Sequence, residues 1–220
     1  MKRLSKSYTS YFLVAVSYIL TVLFVFLFLD YINFTPAELS QETIIQWDAD
    51  WYRSIAFGGY EHFDRQCNTA FFPMFPVIWK VLHLSPFGIS IFNAMLYAAV
   101  IAWLAYSLNL IWKIYFFALA LPSMVFFYLP FSESTFFLFS TLLLIGFSKQ
   151  DLKFILVGAL GMALTRSAIL TFVPVIIFVL IMSQNKESRV RILSAFAAML
   201  LGVFCAVSYT HLTLPTTSRV

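Results

Sequence analysis

The sequence predicts an all-α integral membrane protein, a multi-helix transmembrane bundle with a long first extracytoplasmic loop. Hydrophobic residues make up 61% of its 220 residues and charged residues only 11%, whereas soluble domains carry about 25% charged residues. Apolar runs long enough to cross a bilayer recur along the chain, and basic residues lie between them. With a mean hydropathy of +0.88, the basic residues indicate orientation in a membrane rather than binding to nucleic acid.

The first apolar run, from 11 to 29, predicts a retained transmembrane helix rather than a cleaved signal peptide. It is longer than the apolar part of a signal, and Asp30 follows it instead of a small-residue cleavage site. Lys2, Arg3 and Lys6 before the run place the N-terminus inside. The segment 30–70 is then external, and its seven carboxylates against two arginines agree with that orientation.

The next apolar runs predict further crossings in alternating directions. Prolines break the first of them, which favours an interfacial or partly inserted helix. In order, the predictions are this interfacial helix at 71–83, an inward crossing at 86–110, an outward crossing at 114–129 and an inward crossing at 135–147.

The run from 154 to 182 has basic residues at both ends, which both favour the inside. One crossing cannot satisfy them, so two short crossings that turn near Arg166 and Ser167 are predicted. Half-length segments are tolerated where they line a cavity that is wet or enclosed by protein. The run 192–206 would then start outward.

Residues 207–220 are predicted to be a non-native tail that interrupts the last apolar helix. The segment from Val207 to Thr216 resembles the in-frame translation of a sequencing adapter, and a native polar tail is the alternative. Residues 1–206 are therefore interpreted as one truncated membrane domain, the N-terminal part of a longer protein.

Three polar clusters carry the candidate chemistry, and all three fall on the predicted outer face. The first comprises Trp47, Asp48, Asp50, Trp51 and Tyr52. Aromatic faces stack on sugars, and a carboxylate can take a proton from an acceptor hydroxyl. The alternative is that the aromatic residues are an interfacial belt and the acids only mark an external loop.

The second cluster is centred on Glu133, and the third on Arg166 with Thr165 and Ser167. Glu133 either stabilises the start of the following helix or orients an acceptor or an arginine. An arginine between apolar stretches costs about 2.5–3.5 kcal/mol on insertion scales, and its guanidinium can bind phosphate bidentately. A short loop with a snorkelling arginine is the alternative. The His and Cys residues show no metal-ligand or disulfide spacing.

Together these blocks resemble the PIG-V family of membrane mannosyltransferases. The resemblance depends on Trp47-Asp48-Ala49, Gly59-Tyr60 and the segment 70–76 (Ala-Phe-Phe-Pro-Met-Phe-Pro), followed in order by 131–134 (Phe-Ser-Glu-Ser) and 164–167 (Leu-Thr-Arg-Ser). Phe131 stands where that family often has Tyr, and Ala168 where it often has Asn or Gly.

The resemblance implies a GT-C fold, an extracytoplasmic active site and a polyprenyl- or dolichyl-phosphate sugar as co-substrate. It implies Asp48 as general base, with Asp50 in reserve, and Arg166 with Ser167 at the donor phosphate. Glu133 and the aromatic residues Trp47, Trp51 and Tyr52 would contact the substrates. The sequence has no Gly-rich nucleotide-binding pattern, which agrees with a lipid-linked donor.

We expect no obligatory metal or other cofactor. The expected partners are membrane lipids, a glycolipid or glycan acceptor and, as an option, a membrane partner subunit, but not nucleic acid. The expected location is the plasma membrane in a prokaryote or the ER membrane in a eukaryote. Two other functions stay open: a transporter or flippase for an anionic lipid, which broken helices around Arg166 would also suit, and a non-catalytic membrane subunit.

Overall fold

The computed structural model describes residues 7–34, 40–63 and 66–213, and this part of the chain is almost entirely helical. Two residue pairs, β1 (His62–Phe63) and β2 (Gln66–Cys67), form a minimal antiparallel ladder. The predicted all-α class is therefore confirmed. The α-helices are α1 (Tyr8–Tyr31), α2 (Gln41–Ile44), α3 (Asp48–Gly58), α4 (Met74–Leu82), α5 (Pro86–Ser107), α6 (Trp112–Leu119), α7 (Glu133–Lys149), α8 (Leu152–Thr165), α9 (Val173–Met182) and α10 (Lys186–Leu212).

Within the described residues, three helices are long and apolar enough to cross a bilayer: α1, α5 and α10. They contain 24, 22 and 27 residues, and the hydrocarbon core requires about 20. The predicted helices at 11–29 and 86–110 are thereby confirmed as helices of membrane-spanning length. The short helix α4 occupies the stretch for which an interfacial helix was predicted.

The predicted helix at 114–129 is wrong as a single element. It is divided into α6 and a 3-10 helix, Pro122–Phe127. Leu121 is extended between them, with φ −66° and ψ 129°. Pro122 explains the division, because it has no amide hydrogen and disfavours helical conformation in the residue before it.

The predicted break in the run from 154 to 182 is confirmed. Helix α8 ends at Thr165, Arg166 is extended with φ −151° and ψ 142°, and a 3-10 helix, Ser167–Phe172, leads into α9. The break lies at Arg166, near which the basic residues at both ends of the run predicted a turn.

The chain divides into two compact units. Unit 1 comprises Met1–Asp50 and Leu84–Ser134, and unit 2 comprises Trp51–His83 and Thr135–Val220.

In unit 1, α1 packs along α5 with the two helices running in opposite directions. The Tyr115 hydroxyl donates a 2.7 Å hydrogen bond to the Tyr11 carbonyl, and the Tyr11 hydroxyl donates to the Leu110 carbonyl. The Tyr11 ring also packs on Trp112, with 4.4 Å between ring centroids. These contacts join the first turns of α1 to residues that follow α5, which is the relation expected for an outward and an inward crossing.

In unit 2, α8 packs closely against both α7 and α10. A Cβ added at Gly158 would lie 2.5 Å from the Leu143 nitrogen of α7, and one added at Gly202 of α10 would lie 2.6 Å from the Ala163 Cβ. Small residues of this kind let membrane helices approach one another. The buried core of this packing comprises Ile155, Ala159, Met162, Ala163, Ile169, Ala195 and Met199.

Helix α10 continues through Leu212, so the expected interruption at Val207 is wrong. The first tail residue that cannot continue a helix is Pro215, and the residues before it keep their amide hydrogens. Thr210 is buried. Whether 207–220 is a non-native tail stays a prediction, and residues 214–220 lie outside the described residues.

Candidate functional site

The first cluster forms the start of α3, a helix that its polar composition did not predict. The Ala49 and Asp50 amides donate to the Gln46 and Trp47 carbonyls at 3.2 and 3.3 Å. Asp48 and Asp50 therefore lie in the first helical turn, where the helix dipole stabilises negative charge. The signal in the sequence was the helical spacing of Ala49, Tyr52 and Ala56, which are all buried.

The two carboxylates of this turn differ in environment and direction. The Asp48 side chain is partly buried and the Asp50 side chain is exposed. Because successive helical residues are rotated by about 100°, positions 48 and 50 project about 200° apart. The two carboxylates therefore project to different sides of α3.

The aromatic residues of the cluster also have separate environments. Trp47 has a positive φ of 54° and a side chain that is 73% exposed. Tyr52 is buried, and its ring meets the Phe71 and Phe75 rings edge-on at 5.2 and 5.1 Å between centroids. Tyr52 thus packs α3 onto Phe71, before α4, and onto Phe75 in the first turn of α4, whereas Trp47 is exposed.

Trp51 has an intermediate environment. Its side chain is partly buried, and its ring stacks on Phe71 with 6.1 Å between centroids and 20° between planes. One face of the indole is therefore engaged in unit 2.

The motif residues Gly59 and Tyr60 have a structural role in unit 2. Gly59 has φ +92°, and the buried Tyr60 hydroxyl donates a 2.8 Å hydrogen bond to the Phe71 carbonyl. Burial, followed by the neighbouring Tyr209 and Tyr52, raises the pKa of Tyr60, so its hydroxyl remains a donor at neutral pH. This bond joins two blocks of the motif that are 11 residues apart in the sequence.

Asn68 completes this connection and was missed by the sequence reasoning. Its side chain is buried, accepts from the Glu61 amide at 2.9 Å and donates to the Gly59 carbonyl at 3.2 Å. The sequence contains no signal for it beyond a polar residue before an aromatic motif.

A cavity of about 160 Å³ lies beside these residues in unit 2. None of the predicted site residues lines it. Its lining comprises Ile55, Ala56, Gly59, Tyr60, Pro73, Pro76, Val77, Lys80, Tyr209 and Thr213.

Glu133 is the first residue of α7, so its predicted place at the start of a helix is confirmed. Its neighbours Ser132 and Ser134 are fully buried, and the Ser134 hydroxyl donates a 2.8 Å bond to the Phe127 carbonyl. Phe131, which stands where a tyrosine was expected, is buried and packs against Phe126. The approach to Glu133 is therefore closely packed.

Arg166 lies at the junction between α8 and the following 3-10 helix. Its amide donates to the Met162 carbonyl at 3.1 Å, and its side chain is partly buried. The Thr165 hydroxyl donates to the Gly161 carbonyl at 2.6 Å, so that hydroxyl serves α8, whereas Ser167 is exposed. Arg166 and Ser167 therefore directly follow the end of α8, at the break between the two helices.

The predicted site residues divide between the two units. Trp47, Asp48, Asp50 and Glu133 belong to unit 1, and Trp51, Tyr52, Arg166 and Ser167 belong to unit 2. That residues of both units act together in one reaction stays a prediction.

Metal binding has no candidate in the described part of the chain. There, no group of three or more His, Cys, Asp and Glu side chains could hold a metal ion. His83, at the end of α4, is exposed, and the side chains of His62 and Cys67 lie outside the description. The expectation that no metal is required stays a prediction.

Comparison of the chain with models of protein families, with curated proteins and with solved structures gave no match.

Proposed function

We propose that this protein is a membrane glycosyltransferase with a GT-C-like fold. It transfers a sugar from a polyprenyl- or dolichyl-phosphate donor to an extracytoplasmic acceptor hydroxyl, and the motif resemblance indicates mannose. The observation that carries the proposal is the position of Asp48. It is a partly buried carboxylate in the first turn of α3, next to the exposed Trp47, in the segment between the first two predicted crossings.

The proposed reaction is an inverting displacement. Asp48 accepts the proton of the acceptor hydroxyl while the hydroxyl oxygen forms a bond to the anomeric carbon. The bond from that carbon to the donor phosphate oxygen breaks, and the lipid phosphate leaves with the electron pair. Asp50 is the reserve base, and Glu133 positions hydroxyl groups of the substrates.

Arg166 stabilises the charge that develops on the leaving phosphate. A guanidinium matches two phosphate oxygens at once, and a donor that is already in place costs little reorganisation in the transition state. Ser167 adds a hydroxyl donor, and Trp47 and Trp51 contact the apolar faces of the sugars.

Replacement of Asp48 by Asn tests the base. In the protein expressed from its native gene, we expect Asp48→Asn to lower the rate of sugar transfer by about 10²–10⁴-fold, because the amide cannot accept the proton. Asp50→Asn is the matched control two residues away and should lower the rate by less than about tenfold. The measurement follows a labelled lipid-phosphate sugar in membranes, with insertion of each variant checked by fractionation.

Each result decides between functions. Full activity of Asp48→Asn would refute the base assignment, and loss of activity in Asp50→Asn alone would transfer the role to Asp50. Movement of the labelled lipid between leaflets without turnover would favour a flippase. A complex that stays fully active after Asp48, Asp50 and Arg166 are all neutralised would favour a non-catalytic subunit.

Replacement of Arg166 by Lys tests the phosphate contact. Lysine keeps the charge but loses the bidentate geometry, so we expect kcat to fall by about tenfold, because the contact strengthens in the transition state, with a smaller change in KM for the acceptor. Arg189→Lys, on the predicted inner face, is the control and should leave both constants unchanged. An unchanged kcat in Arg166→Lys would exclude this role.

A further inference from the structure

The chain between α6 and α7 is mostly not α-helical and needs hydrogen-bond partners for its carbonyl groups. It contains the 3-10 helix Pro122–Phe127 and a tight turn in which the Phe131 amide donates to the Leu129 carbonyl at 2.7 Å. In a protein that crosses a membrane, irregular backbone is tolerated where other protein groups satisfy it.

Asn93 of α5 supplies such a partner. Its side chain is fully buried, and its Nδ2 donates to the Leu129 carbonyl at 2.6 Å and to the Phe131 carbonyl at 3.0 Å. Both partners are carbonyl oxygens, so the amide orientation is defined, because only its NH₂ group can donate. One side chain thus holds the backbone on both sides of Pro130.

Two neighbouring contacts hold the preceding 3-10 helix in the same unit. The Tyr97 hydroxyl, one turn further along α5, donates to the Met124 sulfur at 2.9 Å, and its ring packs on Phe127. The Ser134 hydroxyl reaches the Phe127 carbonyl from the first turn of α7. Of these three side chains, Asn93 is the one that bonds to the Leu129 and Phe131 carbonyls, four and two residues before Glu133.

We propose that Asn93 is a positioning residue for Glu133. It fixes residues 129–131 against α5 and so sets the start of α7, where Glu133 is the first residue. A polar side chain inside an apolar helix of spanning length is costly, and this contact explains its presence. The catalytic consequence rests on the proposed sugar transfer, whereas the contact itself does not.

Hydrogen exchange tests the contact without any substrate. Asn93→Leu has a similar volume and no donors, so we expect amide exchange in residues 122–131 to increase by at least about tenfold, because this segment would open more often. Ser90→Ala is the matched control on the same helix, since among the described residues the Ser90 hydroxyl donates to the Pro86 carbonyl of its own helix. It should leave exchange in 122–131 unchanged.

A double-mutant cycle tests whether Asn93 acts through Glu133. Per folded protein, we expect Asn93→Leu to lower kcat for transfer by about tenfold to 100-fold, because small displacements of positioning groups are costly. In a Glu133→Gln background the same change should cause less than about twofold further loss, since coupled residues are not additive. If Asn93→Leu does not fold, Asn93→Ser serves in both measurements.

The outcomes separate this inference from the proposed function. Unchanged exchange in 122–131 would refute the role of Asn93 whatever the activity. Additive losses in the cycle would refute action through Glu133. A wild-type protein without transfer activity would refute the proposed function and the catalytic part of this inference, whereas the exchange comparison would still decide the contact.

Discussion

Gly59 has a backbone conformation that residues with side chains rarely adopt. Its φ is +92°, and a Cβ added there would meet nothing within 4 Å. Gly58, the residue before it, also has open space but belongs to helix α3. A Cβ has space at both adjacent positions, and only Gly59 has a positive φ. A difference between alanine substitutions at the two positions therefore reports backbone conformation and not a steric clash.

Replacing each glycine by alanine should give opposite results. Gly59→Ala should lower the free energy of unfolding by about 1–2 kcal/mol, the cost of a left-handed conformation for an L residue. Gly58→Ala should be neutral or stabilising by up to about 1 kcal/mol, because alanine favours the helix. Thermal unfolding in detergent measures both, and equal effects would contradict the assignment to backbone conformation.

The residue types of the candidate site could be selected from the sequence, but their environments could not. Asp48, Glu133 and Arg166 are polar groups beside apolar runs, which makes them visible. That Tyr52 is buried against Phe71 and Phe75 depends on contacts that a linear motif does not contain. Asn93 was missed for the same reason, since its carbonyl partners are 36 and 38 residues away.

Helix α8 shows how much a close contact between helices depends on one small residue. A Cβ added at Gly158 would lie 2.5 Å from the Leu143 nitrogen and 2.8 Å from the Phe139 oxygen of α7. Both are backbone atoms, so relief requires the helices to separate. A side chain could not give way here by rotation.

Gly158→Ala should therefore destabilise the protein, although alanine favours helices. Overpacking costs about 1–3 kcal/mol, which exceeds the gain in helix propensity of up to about 1 kcal/mol. Gly58→Ala, where the added Cβ meets open space, is the control for that gain. Thermal unfolding of the two variants gives the comparison, and a Gly158→Ala protein as stable as the control would show that α7 and α8 are not in close contact.

The sequence predicted helices and breaks correctly where a single feature, either apolar length or flanking charge, decided the structure. Apolar length located α1 and α5, and the basic residues at both ends of 154–182 located the break at Arg166. The prediction was wrong where Pro122 divided an apolar run and where α10 continued past Val207. Helix α3 was not predicted, because its polar face is as prominent as its buried face.

The described spans of unit 1, α1 and α5, run in opposite directions, as two successive crossings do. The contacts of Tyr11 with Leu110 and Tyr115 bring the beginning of α1 to the end of α5. Lys113 lies beside this contact in sequence, and Lys2, Arg3 and Lys6 precede α1. In the sequence, basic residues thus precede α1 and follow α5, a pattern that the positive-inside rule associates with a cytoplasmic end, and the orientation itself stays a prediction.

The broken segment of unit 2 has lengths that suit short crossings. Helix α8 has 14 residues, which corresponds to about 21 Å at 1.5 Å per residue. The 3-10 helix and α9, with 6 and 10 residues, correspond to about 27 Å together. Each is somewhat shorter than a hydrocarbon core of about 30 Å, so two passages that meet near Arg166 require local thinning or a wet cavity.

Labelling from outside the cell tests this orientation. With Cys67 and Cys205 replaced by Ser, a cysteine at the exposed positions Glu42, Lys153 or Lys186 should react with a membrane-impermeant maleimide only in Glu42→Cys. Lys153→Cys and Lys186→Cys should react only after the membrane is permeabilised, because both basic flanks are predicted to be inside. If only one of these two is protected, the run from 154 to 182 crosses once. Arg166 would then lie within a single crossing rather than at an outer turn, where it could not serve an extracytoplasmic phosphate.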